Sequence, residues 1–239
     1  MEENLSVTVM FPMAGRGARF GYKFKPFLDI GNKKFIQRAV ESFTASLDNI
    51  KEIVFVFLKE QEEQFNVTST LKKMFPNINH RSVILDAPTN SHAETVTKGI
   101  VQGKISGKII LCDCDHYLDA EPMFEYLKKN NEDSCVIPLW KITEDEVKSW
   151  AIASVDSKMK ALSIAEKRFP EKKGDYYGII GCYYFRNAQE VISETRTAVS
   201  DSIKILLEAN KIVKGVQISN AEFFGDPERL QKALSSKIA

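Results

Sequence analysis

The chain has 239 residues, of which 44% are hydrophobic, 10% aromatic and 27% charged, an ordinary globular composition with material for one large domain or two small ones. Lys plus Arg total 33 against 32 Asp plus Glu, a net charge of +1, which argues against a protein that binds nucleic acid by neutralising phosphates. No apolar run approaches the roughly 20 residues of a membrane helix, and the opening MEENLSV has neither the basic start nor the apolar stretch of a secretory signal, so a cytoplasmic protein is expected.

Along the chain the pattern is alternation. Apolar, β-rich runs at Leu5–Met13, Glu52–Leu58, Arg81–Leu85, Lys108–Cys114 and Ser134–Leu139 are separated by helical patterns at Lys34–Phe43, Gln61–Phe75, Ala93–Gln102 and Pro122–Lys129. Strands that alternate with helices imply crossover units and a mainly parallel sheet, whose buried strands read as near-continuous apolar runs. After residue 140 the rhythm changes. Short strands are expected at Ala151–Val155 and Ala161–Glu166, then a longer one at Tyr176–Phe185. Helices follow near Ala188–Thr195 and Ser202–Asn210, then a strand at Lys214–Ile218 and a last helix after Pro227. With no break in composition, the expectation is one α/β domain over residues 1–239. Residues 1–140 form a nucleotide-binding half and 141–239 a small α+β extension that binds an acceptor.

The first strand runs straight into Ala14-Gly15-Arg16-Gly17-Ala18-Arg19-Phe20-Gly21. Glycines at such a junction let the backbone approach a phosphate and present its N–H groups. The dinucleotide fingerprint G-x-G-x-x-G is not met, because Phe20 stands at the third glycine and Lys25-Pro26 interrupts before a helix can start; the pattern G-x-x-x-x-G-K-[ST] is absent. Two cations, Arg19 and Lys25, follow the glycines closely. On residues alone this is either a phosphate cradle or a plain solvated turn.

The segment MAGRGARF…KFKPFLDIGNKKFI resembles the opening of the nucleotidyltransferases that join an NTP to a sugar 1-phosphate or a similar phosphate. Gly15, Gly17, Arg19, Lys25 and Pro26 fall on that pattern, as does the I-x-x-K-x-x-I tail at Ile30–Ile36, although the spacer between Arg19 and Lys25 is shorter than in many members. The resemblance implies a Rossmann-like, three-layer nucleotidyltransferase fold. It also implies that Ala14, Gly15 and Gly17 hold the nucleotide, while Arg19 and Lys25 carry the catalytic neutralisation of the triphosphate. The residue types suit that chemistry, since phosphoryl attack needs alignment and charge neutralisation, with Arg as a fork and Lys as a point charge.

Lys108–Cys114 is an apolar strand that ends in Asp113-Cys114-Asp115-His116. A period of two places Asp113 and Asp115 on one face and the two cysteines on the other, and carboxylates at the C-terminal end of a central strand lie where open α/β sheets bind ligands. Hard oxygens suit Mg²⁺, which uses one or two carboxylates plus substrate phosphates. In the family a G-D or S-D pair ends this strand and its Asp holds the metal, which puts Asp115 in that role with Cys114 before it. Zinc on Cys112, Cys114 and His116 lacks a fourth ligand and the usual spacing. The four cysteines, Cys112, Cys114, Cys135 and Cys182, are too sparse for a disulfide framework and are expected reduced.

Three further segments resemble the family. Ala87–Thr95 is like its T-x-G-x-A-E-T base-recognition segment and places Thr89, Ser91 and Ala93 at the nucleotide; Ser91 with Glu94 also reads as a helix capping box. Glu166-Lys167 is like E-K-P, the acceptor contact, with Arg168 in place of the proline, and Gly181 falls on a strand that approaches the acceptor. Phe224-Gly225-Asp226-Pro227 is like the G-T-P segment that starts the last helix. Where many members carry a second metal Asp this chain has Phe223, so Asp226 or Glu222 is left to substitute.

The expected activity is therefore Mg²⁺-dependent transfer of a nucleotidyl group from an NTP to a sugar 1-phosphate or other small phosphorylated acceptor with release of pyrophosphate. By the family's habit alone, it would supply surface polysaccharide precursors. Three alternatives stay open: a CTP-dependent cytidylyltransferase acting on a non-sugar phosphate, a glycosyltransferase that uses Asp113 and Asp115 as a D-x-D motif, and a catalytically silent nucleotide-binding subunit. Base, acceptor and oligomeric state, a homo-oligomer included, are left open.

Overall fold

The computed structural model describes residues 5–193 and 195–235. The first four residues of the MEENLSV segment, Glu194 of the expected helix Ala188–Thr195, and residues 236–239 lie outside them.

Ten strands form one sheet: β1 (Val7–Pro12), β2 (Ile50–Leu58), β3 (His80–Leu85), β4 (Ile109–Cys112), β5 (Cys135–Trp140), β6 (Ala151–Val155), β7 (Ala161–Glu166), β8 (Asp175–Ile179), β9 (Cys182–Phe185) and β10 (Val213–Gln217). Their order is β7-β6-β8-β5-β9-β4-β1-β2-β3, with β10 paired to β5. The core β4-β1-β2-β3 is parallel, as the alternation of elements predicts. Beyond β4 the ladder turns antiparallel, because β9 returns between β4 and β5, and β8, β6 and β7 continue that pairing.

The helices are α1 (Phe35–Glu41), α2 (Lys59–Phe65), α3 (Val67–Met74), α4 (His92–Gln102), α5 (Glu121–Lys129), α6 (Ser200–Glu208) and α7 (Pro227–Ser235). Every residue of β1 is buried, and its period of two divides it between two cores. Val7, Val9 and Phe11 join the cluster that contains Ile36 of α1, Leu71 of α3 and Phe124 of α5. Met10 joins the cluster with Val96 and Ile100 of α4 and Ile203 of α6. This is the three-layer arrangement in which a parallel sheet is covered on both faces. A third cluster, Ile30, Phe35, Phe224 and Ala233, packs α7 against the hairpin Asp29–Lys34 and against Phe20.

The sequence pattern and the structure part company at three places. The helix expected at Gln61–Phe75 is two helices divided at Asn66, which takes the left-handed conformation (φ 49°, ψ 50°) that Asn tolerates. Glu62 then accepts the Thr68 N–H at 2.8 Å and starts α3. The strand expected at Tyr176–Phe185 is interrupted at Ile180-Gly181 into β8 and β9. The helix expected at Ala188–Thr195 is a single 3₁₀ turn, Ala188–Val191.

All four cysteines are buried and free. Among the described residues no helix is long and apolar enough to cross a membrane.

Phe55 of β2 is fully buried and stacks on Phe11 and Phe75, each at 5.7 Å. Phe55→Ala leaves a cavity at this junction and is expected to cost about 3–5 kcal/mol, read as a lowered urea midpoint with the slope unchanged.

Candidate active site

In the order β4-β1-β2-β3, chain connections leave β1 toward β2 on one side and reach β4 on the other, so the switch point of the parallel sheet lies between β1 and β4. Ligands of open α/β sheets bind at the carboxyl ends of the strands at such a point. Here the loop after β1 holds the glycines and Arg19, while the loop after β4 holds Asp113 and Asp115.

The β1 loop keeps its shape through its glycines and one glutamine. Gly17 is left-handed (φ 64°), and a Cβ there would run into the carbonyl oxygen of Lys23. Its own carbonyl accepts from the N–H groups of Phe20 (2.9 Å) and Tyr22 (3.1 Å). Gln61, buried at the start of α2, accepts the Leu58 N–H through Oε1 (2.9 Å) and donates through Nε2 to the Gly15 carbonyl (3.1 Å). It thus ties the end of β2 to the loop. Lys25 opens a 3₁₀ turn, Lys25–Phe27, anchored by buried Pro26 and by Phe24 stacked on Phe65 at 5.2 Å.

Lys25 Nζ lies 2.5 Å from Asp115 Oδ2. Burial disfavours both charges. The attraction between them outweighs it, raising the Lys25 pKa and, with help from His116, holding the Asp115 carboxyl well below the usual carboxylate range. Both groups are charged at neutral pH. Asp113 is engaged on the other side, with Oδ1 3.0 Å from His92 Nε2 at the start of α4, and its N–H donates to the Gly181 carbonyl (2.8 Å). Glycines back both carboxylates. A Cβ on Gly181 would collide with Asp113 Oδ2, and one on Gly225 would stand 2.6 Å from Asp115 Oδ2.

Two adjoining cavities meet at these carboxylates. The larger, about 470 Å³, is lined by Ala14, Gly15, Gly17, Arg19 and Lys25 from one side and by Thr89, Ser91 and His92 from the other. The smaller, about 190 Å³, is lined by Trp150, Glu166, Gly181, Tyr183, Phe223 and Arg229. Asp113, Asp115 and Gly225 belong to both. Ser91 also caps α4, accepting the Glu94 N–H (3.1 Å), while Glu94 accepts the Asn90 N–H (2.7 Å). Ala93 lines neither cavity; it is buried, its N–H 3.4 Å from the Thr197 carbonyl.

Three further residues expected at the site border neither cavity. Asp226, proposed as a metal ligand, lines neither cavity. It caps α7, where Oδ1 accepts the Arg229 N–H at 2.9 Å. Glu222 is held by two N–H groups of Arg38 (2.7 and 3.2 Å), whose guanidinium lies over the Tyr117 ring. Asp113 is the carboxylate that lines both cavities together with Asp115. Lys167, expected at the acceptor, is exposed with φ 55°; its N–H donates to the Trp150 carbonyl, and its residue borders neither cavity. Its neighbour Glu166 does border the smaller one and accepts from Ser200 Oγ at 2.5 Å.

Among the described residues no three or more His, Cys, Asp or Glu side chains converge to hold a metal. Cys112 and Cys114 are buried thiols: burial pushes Cys114 up to about 12 against the pull of Lys25, and burial with the neighbouring Cys182 raises Cys112 well above its ordinary value. The hard-oxygen pair Asp113 and Asp115 does suit Mg²⁺, which completes its shell with substrate phosphate oxygens and water. Sequence patterns alone did not single out His92, Trp150, Tyr183 or Arg229, which reach the site from four separate segments.

Solved structures share this architecture. The nucleoside-diphosphate-sugar pyrophosphorylase from Vibrio cholerae RC9 matches over 95% of this chain and 99% of its own, with a TM-score of 0.76 at 17% identity. The UTP-bound UGPase from Acinetobacter baumannii matches over 98% and 93% (0.74, 16%). HddC from Yersinia pseudotuberculosis, complexed with GMP-PN, matches over 98% and 99% (0.70, 18%). No protein-family model and no curated protein matches the chain. The likeness is one of fold: the sugar-phosphate nucleotidyltransferase fold implied by the opening motif is the fold this chain has.

Lys25→Met and Asp115→Asn each strand one charge, and the double variant is expected to lose less than their sum, with a coupling of about 1–3 kcal/mol in a urea-denaturation cycle. That is below the roughly 3–5 kcal/mol of a fully buried pair, since the side chains retain 25% and 21% exposure. Because the Asp115 pKa is depressed by folding, this contribution is present above the unfolded value near 4 and disappears as pH falls. Gly225→Ala, which presses on Asp115, is expected to lower stability by about 1–3 kcal/mol, measured by thermal unfolding.

Proposed function

We propose that the chain is a nucleotidyltransferase: the larger cavity takes an NTP, the smaller takes a phosphorylated acceptor, and the reaction occurs at the carboxylates they share. The observation that carries this reading is the Lys25–Asp115 pair at the switch point, which puts a cation from the glycine loop and an acid from the β4 end on one boundary between two cavities. A phosphate oxygen of the acceptor bonds to the α-phosphorus. The bond from that phosphorus to the oxygen bridging to the β-phosphorus breaks, and pyrophosphate leaves with the electron pair. The attacking oxygen is already anionic, so no general base is needed.

The chain's own residues supply positioning and charge. Gly15 and Gly17 keep side chains off the triphosphate path, and Arg19 and Lys25 offset the charge that grows on the leaving pyrophosphate. Lys25 is engaged by Asp115 in the free chain and turns toward phosphate when nucleotide arrives. Asp115, with Asp113, would hold Mg²⁺, which when bound screens the charge of the triphosphate. Thr89 and Ser91, at the α4 start, face the base end of the cavity. The acceptor is a sugar 1-phosphate or another small phosphomonoester, cytidylyl transfer to a non-sugar phosphate included. A cytoplasmic place in the supply of surface polysaccharide precursors is proposed from the family resemblance alone.

The test is pyrophosphate release with Mg²⁺, crossing CTP, UTP, GTP, ATP and dTTP with sugar 1-phosphates and small phosphomonoesters. One pair is expected to give a strong signal that Arg19→Ala and Lys25→Ala each reduce by about 10²-fold or more, the scale of removing one electrostatic donor from a transition state. Turnover of a ready-made nucleotide sugar that survives both substitutions would favour the glycosyltransferase. NTP binding without pyrophosphate release across the grid would favour a silent subunit.

A further inference from the structure

The smaller cavity is acidic at its rim, with Asp113, Asp115 and Glu166, and aromatic on its walls, with Trp150, Tyr183 and Phe223. A phosphate entering it needs a cation. Lys167 does not line the cavity. Arg229 of α7 supplies the single guanidinium or ammonium among the lining residues.

Arg229 is held without a hydrogen bond to its side chain among the described residues, with one carboxylate, Asp226, at ion-pair distance. Its guanidinium lies 4.8 Å from the centre of the Trp150 ring, and its Nε stands 3.6 Å from Asp226 Oδ2, beyond hydrogen-bond length. Among the described residues its side chain makes no hydrogen bond, in contrast to Arg38 and Arg196, whose guanidinium groups are tied to carboxylate, carbonyl and hydroxyl oxygens. A planar cation on an indole face, bordering a cavity with its donors free of hydrogen bonds, is suited to take two oxygens of one phosphate. The α7 N-cap and the Phe224–Phe35 contact at 4.6 Å fix the helix that carries it.

We propose that Arg229 is the residue that grips the acceptor's phosphate, so that selection for a phosphomonoester in the smaller cavity depends on α7 and not on the Glu166-Lys167 segment. The inference rests on the nucleotidyltransferase reading for the identity of the bound molecule, and on the cavity alone for the anion site.

Two measurements separate these. In a Trp140→Phe background of the full chain, the remaining tryptophan, Trp150, reports on the guanidinium that covers it, and inorganic phosphate is titrated against its fluorescence. A saturable change is expected that weakens at least tenfold in Arg229→Ala, recovers in part in Arg229→Lys and shifts less than twofold in Lys167→Ala. With the NTP and acceptor pair found by pyrophosphate release, Arg229→Ala is expected to raise KM for the acceptor at least tenfold and leave KM for the NTP within twofold. The proposal is overturned if phosphate gives no response, if Arg229→Ala responds as the parent does, or if Lys167→Ala takes the loss. A phosphate response that depends on Arg229 in a chain that releases no pyrophosphate would sink the nucleotidyltransferase reading and leave the anion site standing.

Discussion

The pair of Lys25 and Asp115, 2.5 Å apart, is the contact on which the arrangement of the site depends. It joins two loops 90 residues apart in sequence that become neighbours only because β1 and β4 are adjacent, in-register parallel strands. Two charges largely removed from water attract each other more strongly than they would at the surface, and each would be costly alone. The pair therefore fixes the distance between the glycine loop and the acidic loop before any ligand arrives. On the proposed reading, a phosphate chain with its cation would offer both partners replacements of the right sign.

The surroundings are built to keep these two loops still while leaving them accessible. Gly17, Gly181 and Gly225 stand where a Cβ would meet the Lys23 carbonyl or the two carboxylates. Gln61 bridges the end of β2 to Gly15. Aromatic contacts, Phe24 on Phe65 and Phe35 on Phe224, fasten Lys25 and α7 to the body of the protein. The polar functions sit on loops and the rigidity comes from the two apolar layers against the sheet, a division common to α/β sites.

The return of β9 between β4 and β5 has a consequence for the second cavity. It brings Gly181 and Tyr183, from late in the chain, beside Asp113 at the end of β4. The two halves of the sequence are thus interleaved within one sheet, and the smaller cavity has walls from both. Trp150 follows a 3₁₀ turn, Glu166 ends an edge strand and Arg229 rides on α7, so three elements with no local relation share one wall.

Much of the fold was legible because it is written in local periodicity. The continuous apolar run of β1, the alternation of strand and helix to residue 140, and the glycines after the first strand are properties of neighbouring residues, and the parallel core follows from them. The splitting of one expected helix was not legible, since Asn66 is tolerated in a helix and only its surroundings select the left-handed form. At the site, the sequence by itself determined the cluster of Gly15, Gly17, Arg19 and Lys25, and the acids at the end of β4, because each lies within a few residues of a strand end. Only the tertiary structure decided that Asp226, Glu222 and Lys167 lie outside both cavities and that Arg229 borders one. The physical reason is that a side chain's role depends on which other groups satisfy it first. The α7 backbone claims Asp226, Arg38 claims Glu222 from 184 residues away, and Arg229 lies on the indole face of Trp150 with Asp226 at 3.6 Å; the Arg38 and Trp150 contacts exist only through the fold.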